Sequence, residues 1–271
     1  MEQIQIALDK ARQRYGDLVR PAVFESPRTV SAEGRSQGRS AIPNALSWCE
    51  LPVADIRVDH LAANRIITAD RSSPAYSTFD RLRTKILQDM QQNHWTSVAI
   101  TSPTAGCGKS LVALNLAFSL GHQDECRTLV VDLDLAQTRM ANLLGLDRAP
   151  AMGNFLSGRQ SVRNTFVQRG DNLAFAANGR PESFTSELLQ SASATRVLKE
   201  TCRELQPTIV IYDMPPMLCG DDVMGFLPQV DCVMMIAAAE TSSFAEIDLC
   251  ERELSDTSNL LGVVLNKCRY I

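Results

Sequence analysis

The chain has 271 residues, 45% hydrophobic and 21% charged, which is ordinary globular usage and enough for one large domain or two small ones. Thirty-one acidic against 27 basic residues leave a formal charge of -4 and a pI near 5.5, which excludes a general affinity for nucleic acid or an anionic membrane surface. The apolar runs around 208–212 and 232–239 are broken by Asp213 and Glu240, well short of the ~20 uncharged residues of a membrane span, and no signal-peptide pattern opens the chain, so a cytoplasmic protein is expected.

Along the chain, Ile4, Leu8 and Ala11 mark one face of a short amphipathic helix over residues 1–20, ended by Pro21. Residues 25–45, with Ser26-Pro27, Gly34, Ser36, Gly38, Ser40 and Pro43, have a linker composition with too few apolar groups to fold alone, and disorder is expected there. The stretch 50–71 has no clear period. Phe79, Leu82, Ile86 and Met90 then line one face of a helix whose Arg81, Arg83 and Lys85 read as a solvated basic face. The folded domain is therefore expected over 72–271, behind an N-terminal helix and linker over 1–71. Short β-rich runs at 98–100, 129–131, 209–211, 233–236 and 263–265 alternate with helical patterns near 111–120, 136–145 and 243–256. This alternation predicts an α/β fold, a mostly parallel sheet flanked by helices on both faces. The eight cysteines and three histidines are scattered without metal-ligand spacing, so most cysteines are expected to be reduced and buried.

The most informative segment, Ser97-Val-Ala-Ile-Thr-Ser-Pro-Thr-Ala-Gly-Cys-Gly-Lys-Ser110, runs from a strand through a glycine-containing loop into a helix. Gly106 and Gly108 let backbone N–H groups approach phosphate oxygens at a helix N-terminus, Lys109 supplies charge for the β- and γ-phosphates, and the Ser110 hydroxyl suits Mg²⁺. Pro103 stands where the usual motif has its first glycine. Two further strands end in carboxylates, Thr128-Leu-Val-Val-Asp-Leu-Asp134 and Thr208-Ile-Val-Ile-Tyr-Asp-Met-Pro-Pro216. Ligands of open α/β sheets bind beyond the carboxyl ends of the strands, so Asp132, Asp134 and Asp213 should meet Lys109 on one edge. Each aspartate alone also reads as a helix cap or turn residue, and Pro215-Pro216 as a strand terminator or a stiffener of the loop beside the metal.

These residues resemble the bacterial tyrosine kinase family of capsule and exopolysaccharide synthesis, relatives of the deviant Walker A P-loop ATPases that partition chromosomes and position the division septum. The likeness covers roughly 72–268 and includes Gly153-Asn-Phe-Leu-Ser-Gly158, Gly179 followed by Glu187-Leu-Leu, Gly220-Asp-Asp-Val and Leu265-Asn-Lys267. The resemblance implies ATP and Mg²⁺ as cofactors. Nucleotide contacts would fall on Thr104, Ala105, Gly106, Cys107, Gly108, Lys109, Ser110, Leu111 and Asn266, the last reading adenine. Lys109, Asp132 and Asp134 would be catalytic, with Asp132 activating the acceptor hydroxyl, and Ser110, Asp213 and Asp134 would serve the metal. Thr104 occupies the position of the partitioning branch's second lysine, which favours the kinase-like branch.

The chain departs from the family pattern at Ala136, where an arginine is usual and Arg139 is the nearest later one; at Ser77 and Asp80, which leave Arg83 alone of the assembly motif; and at the C-terminus, where Tyr270 replaces a tyrosine cluster. Tyr270 reads either as the phosphoacceptor or as a residue packing at the sheet edge. Cys107 reads either as an oxidation-sensitive thiol or as a small side chain the loop requires. The implied protein is a cytoplasmic ATP-dependent tyrosine kinase regulating polysaccharide polymerisation and export. A membrane co-polymerase or chain-length regulator with an activating cytoplasmic tail would recruit it to the inner face of the plasma membrane, with residues 1–20 as a docking element and membrane contact only through that partner. Homo-oligomerisation, a nucleotide-switched ATPase and an ATP-binding scaffold stay open as alternatives.

Overall fold

The computed structural model describes residues 48–70 and 76–268; the helix expected at 1–20, the linker and Tyr270 lie outside the described residues. After a 3-10 turn at Trp48–Glu50, the elements are α1 (Val58–Ala63), α2 (Tyr76–Asn93), β1 (Ser97–Thr101), α3 (Lys109–Leu120), β2 (Thr128–Asp132), α4 (Arg139–Leu144), α5 (Met152–Leu156) and α6 (Val162–Thr165). Then come β3 (Val167–Arg169), β4 (Leu173–Ala176), α7 (Thr185–Leu189), α8 (Ala192–Leu205), β5 (Ile209–Asp213), α9 (Asp222–Phe226), β6 (Cys232–Ala238), α10 (Phe244–Thr257) and β7 (Leu260–Asn266).

The strands form one seven-stranded sheet in the order β3-β4-β2-β5-β1-β6-β7, parallel throughout except for the antiparallel pair β3 and β4. The α/β expectation holds. Strands β2, β5 and β6 are buried along their whole length, as parallel strands covered on both faces must be. Side chains alternate between two cores: Ala99, Val131, Val210, Tyr212 and Met235 meet α5, α8 and α10, whereas Val98, Ile100, Val130, Ile211 and Met234 meet α2 and α3. Helix α3, apolar on nearly every face, lies inside the second core, with only Leu111 not fully buried. Strands β3 and β4, joined by the turn at Gly170, extend the sheet beyond β2 and were absent from the sequence reading.

The folded body also begins earlier than the expected boundary at 72. Trp48 and Leu51 insert into the first core and Leu61 and Ile66 into the second, so residues 48–70 form a strap that passes the β3 edge and reaches α3. The Trp48 indole N–H donates to the Leu205 carbonyl at 2.6 Å, and backbone bonds Gln168 N to Pro52 O and Ala54 N to Gln168 O, both 2.8 Å, place the strap along β3. On α3, the Asn115 side-chain oxygen accepts from the N–H of Ile67 at 2.9 Å, while its amide donates to the Arg65 carbonyl at 3.1 Å. These apolar residues enter two different cores singly, which is why no helical or strand period marks the stretch.

The basic face expected on α2 also needs correction. Arg83, with a side chain only 14% exposed, pairs with Asp80 at 2.7 Å and donates to the Ser119 carbonyl at 2.8 Å, joining α2 to α3. Arg81 and Lys85 are the solvated members of the cluster, Lys85 pairing with Asp89 at 3.1 Å.

At the opposite end of the sheet from the strand-end carboxylates, Asp231 accepts from the backbone N–H groups of Thr96 at 2.8 Å and Ser97 at 2.9 Å and from the Ser97 hydroxyl at 2.8 Å. Partial burial pushes its carboxyl up, but the bonds from Thr96 and Ser97 outweigh this and hold it below the ordinary 3.8. The stabilisation is present above that value and is lost as pH falls through the lower folded one. Asp231→Ala is expected to lower stability by about 2 kcal/mol at pH 7, with the gap in melting temperature from the parent protein narrowing below pH 4. Thermal melts at both pH values check this.

Candidate active site

The loop after β1 is shaped from within. Buried Ser102 donates from its hydroxyl to the Thr104 carbonyl at 2.8 Å, and the Cys107 thiol donates to the same carbonyl at 3.3 Å. Gly108 precedes α3 at φ +91°, a backbone conformation that favours glycine, and a Cβ there would push aside the Asn266 amide nitrogen, 2.4 Å away. Gly106, at φ +83°, faces open space. Asn266, at the end of β7, donates its amide to the Cys107 carbonyl at 2.9 Å, so the proposed base-reading residue is tied to the phosphate loop.

The loop after β5 runs alongside. Met217 N bonds Ser102 O at 2.8 Å, Leu218 N bonds Pro103 O at 3.0 Å, and the Thr101 hydroxyl donates to the Pro215 carbonyl at 2.7 Å. Register does the rest: Asp213 lies opposite Ile100 of β1 on one side and Asp132 of β2 on the other. The carboxyl ends of three adjacent parallel strands thus deliver Lys109, Ser110, Asp132, Asp134 and Asp213 to one buried edge.

There the Lys109 ammonium pairs with Asp134 at 2.6 Å, both side chains less than a tenth exposed. Asp132 accepts from the N–H of Asp134 at 3.3 Å and of Asn178 at 3.1 Å; burial first, then the nearby Asp213 charge, raise its pKa well above the usual carboxylate range. Burial also lifts Asp213, to about 6, with the Lys109 charge and the nearby Ser110 hydroxyl pulling it down, Asp134 pushing it up and Arg139 pulling it down. Although that hydroxyl lies close enough to favour the ionised acid, neither Asp213 oxygen nor Ser110 Oγ makes a hydrogen bond. Three unpartnered buried oxygens, two at the end of β5 and one in the first turn of α3, suit a hard divalent cation, which takes hydroxyl and carboxylate oxygen; the donor set fits Mg²⁺.

Other sequence-derived residues fall as follows. Thr104, Ala105 and Leu111 line the loop and the first turn of α3, and Ala136 is exposed on the segment between β2 and α4. Arg139, the first residue of α4, is a second cation, after Lys109, whose field reaches Asp213. Cys107 is 0% exposed, and its neighbours Ser242, at 3.5 Å, and Thr104 lower its pKa against the upward push of burial.

Two contributors escaped the sequence reading. Asn178, fully buried, positions Asp132 through its backbone, while its side-chain amide donates to Leu135 O at 2.9 Å and Gln137 O at 3.0 Å, fixing the segment that carries Asp134. The signal available was Asn178-Gly179: a Cβ at Gly179 would lie 1.8 Å from the Ala149 carbonyl, so only glycine fits there. Ser242 accepts from Ala238 N at 3.0 Å and supports Cys107; nothing in its surroundings in sequence marks it.

The sequence profile of the CobQ/CobB/MinD/ParA nucleotide binding domain matches residues 98–270, and the chain belongs to that family of P-loop proteins. It is 28% identical over 233 residues to the putative tyrosine-protein kinase EpsB of Ralstonia nicotianae, covering 81% of this chain and 30% of that protein. It is also 28% identical over 176 residues to the tyrosine-protein kinase CpsD of Streptococcus pneumoniae serotype 4, covering 63% of this chain and 75% of that one. The kinase domain of the Escherichia coli tyrosine kinase ETK has the same fold, with a TM-score of 0.68 at 20% identity over 81% of this chain and 91% of that one. The chain thus spans under a third of EpsB, but most of CpsD.

Proposed function

We propose that the chain is an ATP- and Mg²⁺-dependent protein tyrosine kinase acting in exopolysaccharide or capsule synthesis. The observation that carries this reading is the buried convergence of Lys109, Ser110, Asp132, Asp134 and Asp213 beneath a phosphate loop, in a chain related to EpsB and CpsD. Phosphoryl transfer asks the protein for positioning and charge stabilisation, and these residues provide both.

The loop N–H groups and Lys109 would bind the terminal phosphates, with the ammonium passing from Asp134 to the nucleotide. Ser110 and Asp213, with Asp134 beside them, would hold Mg²⁺, which when bound neutralises phosphate charge. Asp132, with its raised proton affinity, is the group suited to take the proton of an acceptor hydroxyl. Tyr270 is the terminal acceptor in this reading. The polysaccharide setting and a membrane-bound activating partner, acting at the inner face of the plasma membrane, follow from the family resemblance; no helix among the described residues is long and apolar enough to cross a membrane.

The test is incubation of the full chain with γ-labelled ATP and Mg²⁺, with and without the cytoplasmic tail of a candidate membrane partner. Label on tyrosine, abolished in Tyr270→Phe, is the expected result. Phosphate release without protein label would replace the kinase with a switch ATPase, and neither signal despite ATP binding would leave a scaffold.

A further inference from the structure

Beside the end of β7, a cavity of about 690 Å³ is lined by Arg65, Ala239, Glu240, Thr241, Lys267 and Cys268. It adjoins the phosphate loop: the Ala239 N–H donates to the Asn266 carbonyl at 2.9 Å, and the Asn266 amide holds the Cys107 carbonyl. A space of this size suits a small organic ligand. All but one of its residues come from the loops after β6 and β7. Arg65 comes from the strap.

The backbone of Arg65 is held with unusual care. It follows α1 in a Schellman turn, with Ile66 N bonded to Leu61 O at 2.9 Å and Arg65 N to Ala62 O at 3.0 Å, and Leu61 and Ile66 buried behind it. The turn puts Arg65 at φ +61°, a position where glycine is the strain-free residue. The Arg65 carbonyl is fixed by Asn115, on the same helix that begins with Lys109 and Ser110. Among the described residues the Arg65 guanidinium makes no hydrogen bond or ion pair. A strained backbone, firmly anchored, thus presents an uncommitted planar cation to a cavity next to the phosphate loop.

We propose that Arg65 is a specificity-determining residue for the nucleoside half of the bound nucleotide, stacking its guanidinium on the base while the phosphates occupy the loop at Lys109. This rests on the nucleotide-binding reading of the site and adds to it a contact from outside the strand-end loops. Planar guanidinium stacks on aromatic faces, which an ammonium cannot do equally well. Because Asn115 joins the strap to α3, nucleotide binding and docking of the strap become mutually reinforcing.

The test titrates the full chain with Mg-ADP and, separately, Mg-pyrophosphate, using the parent protein, Arg65→Ala, Arg65→Gly and Lys109→Ala. Both Arg65 variants are expected to weaken ADP binding by about 5- to 20-fold while pyrophosphate binding stays within about twofold. Arg65→Gly should also melt at a higher temperature than the parent because its left-handed backbone is relieved, separating lost affinity from lost stability. Lys109→Ala should weaken both ligands. ADP affinity unchanged by either Arg65 substitution, or pyrophosphate weakened in parallel with ADP, overturns this inference alone. A parent protein that binds neither ligand overturns the nucleotide reading and this inference together.

Discussion

Lys109→Met is expected to reduce phosphoryl transfer and phosphate release by about 10²–10³-fold or more, the scale of losing one preorganised charge at a developing anion. The same substitution is expected to destabilise the ligand-free protein by about 3–5 kcal/mol, because the Asp134 carboxylate, 2.6 Å from Lys109 and almost fully buried, is left without its counter-charge. It also removes the positive field that draws Asp213 down, so Asp213 should titrate above its parent value of about 6. A second substitution separates folding from chemistry. Replacing the ion pair by apolar groups of similar size, in Lys109→Met with Asp134→Leu, should recover most of the lost stability and none of the activity. Melting curves beside a phosphate-release assay decide this; recovered activity would remove Lys109 from the mechanism.

Asp213→Asn is expected to act in opposite directions on stability and activity. The folded protein holds this carboxyl at about 6 against 3.8 for an unfolded aspartate, so the folded state binds the proton more tightly and is favoured at low pH. That advantage is complete below about pH 4 and disappears as pH rises through 6, a difference of about 3 kcal/mol. In a chelator, therefore, the parent protein should lose stability between pH 4 and 7, with a markedly smaller loss in Asp213→Asn. At pH 8 the variant should melt higher than the parent. Yet it should lose Mg²⁺-dependent turnover by about 10²-fold or more, since a neutral amide is a poor substitute for a carboxylate at a hard cation. Stability profiles that coincide across this pH range would contradict the burial argument.

The legible parts of the fold were those whose own residues repeat a period or carry a mechanism. Val98-Ala99-Ile100, Leu129-Val130-Val131 and Ile209-Val210-Ile211 are short apolar runs rich in branched residues, each followed by a group that only a strand end would put to use. Leu173-Ala174-Phe175-Ala176 lacks β-branched residues and Val167–Arg169 is only three residues long, so β3 and β4 exist through pairing rather than propensity. Helices of four or five residues, such as α5, α6 and α7, are too short to show a period at all. At the site, motif order placed Lys109, Asp132 and Asp213 on one edge, but the partners that orient them depend on contacts across the chain. Asn178 is 46 residues from the Asp132 it holds, and no local pattern joins them. Arg83 illustrates the same limit: a charged residue beside other charges looks solvated until the Ser119 carbonyl comes within 2.8 Å.

The strap has a consequence for the order in which the chain assembles. Its anchor Trp48 donates to Leu205, 157 residues later, and its edge pairing uses Gln168. During synthesis the strap therefore emerges well before the groups it needs, and it can lock only after the sheet and α8 exist. The earliest-made part of the folded body is among the last to find its place.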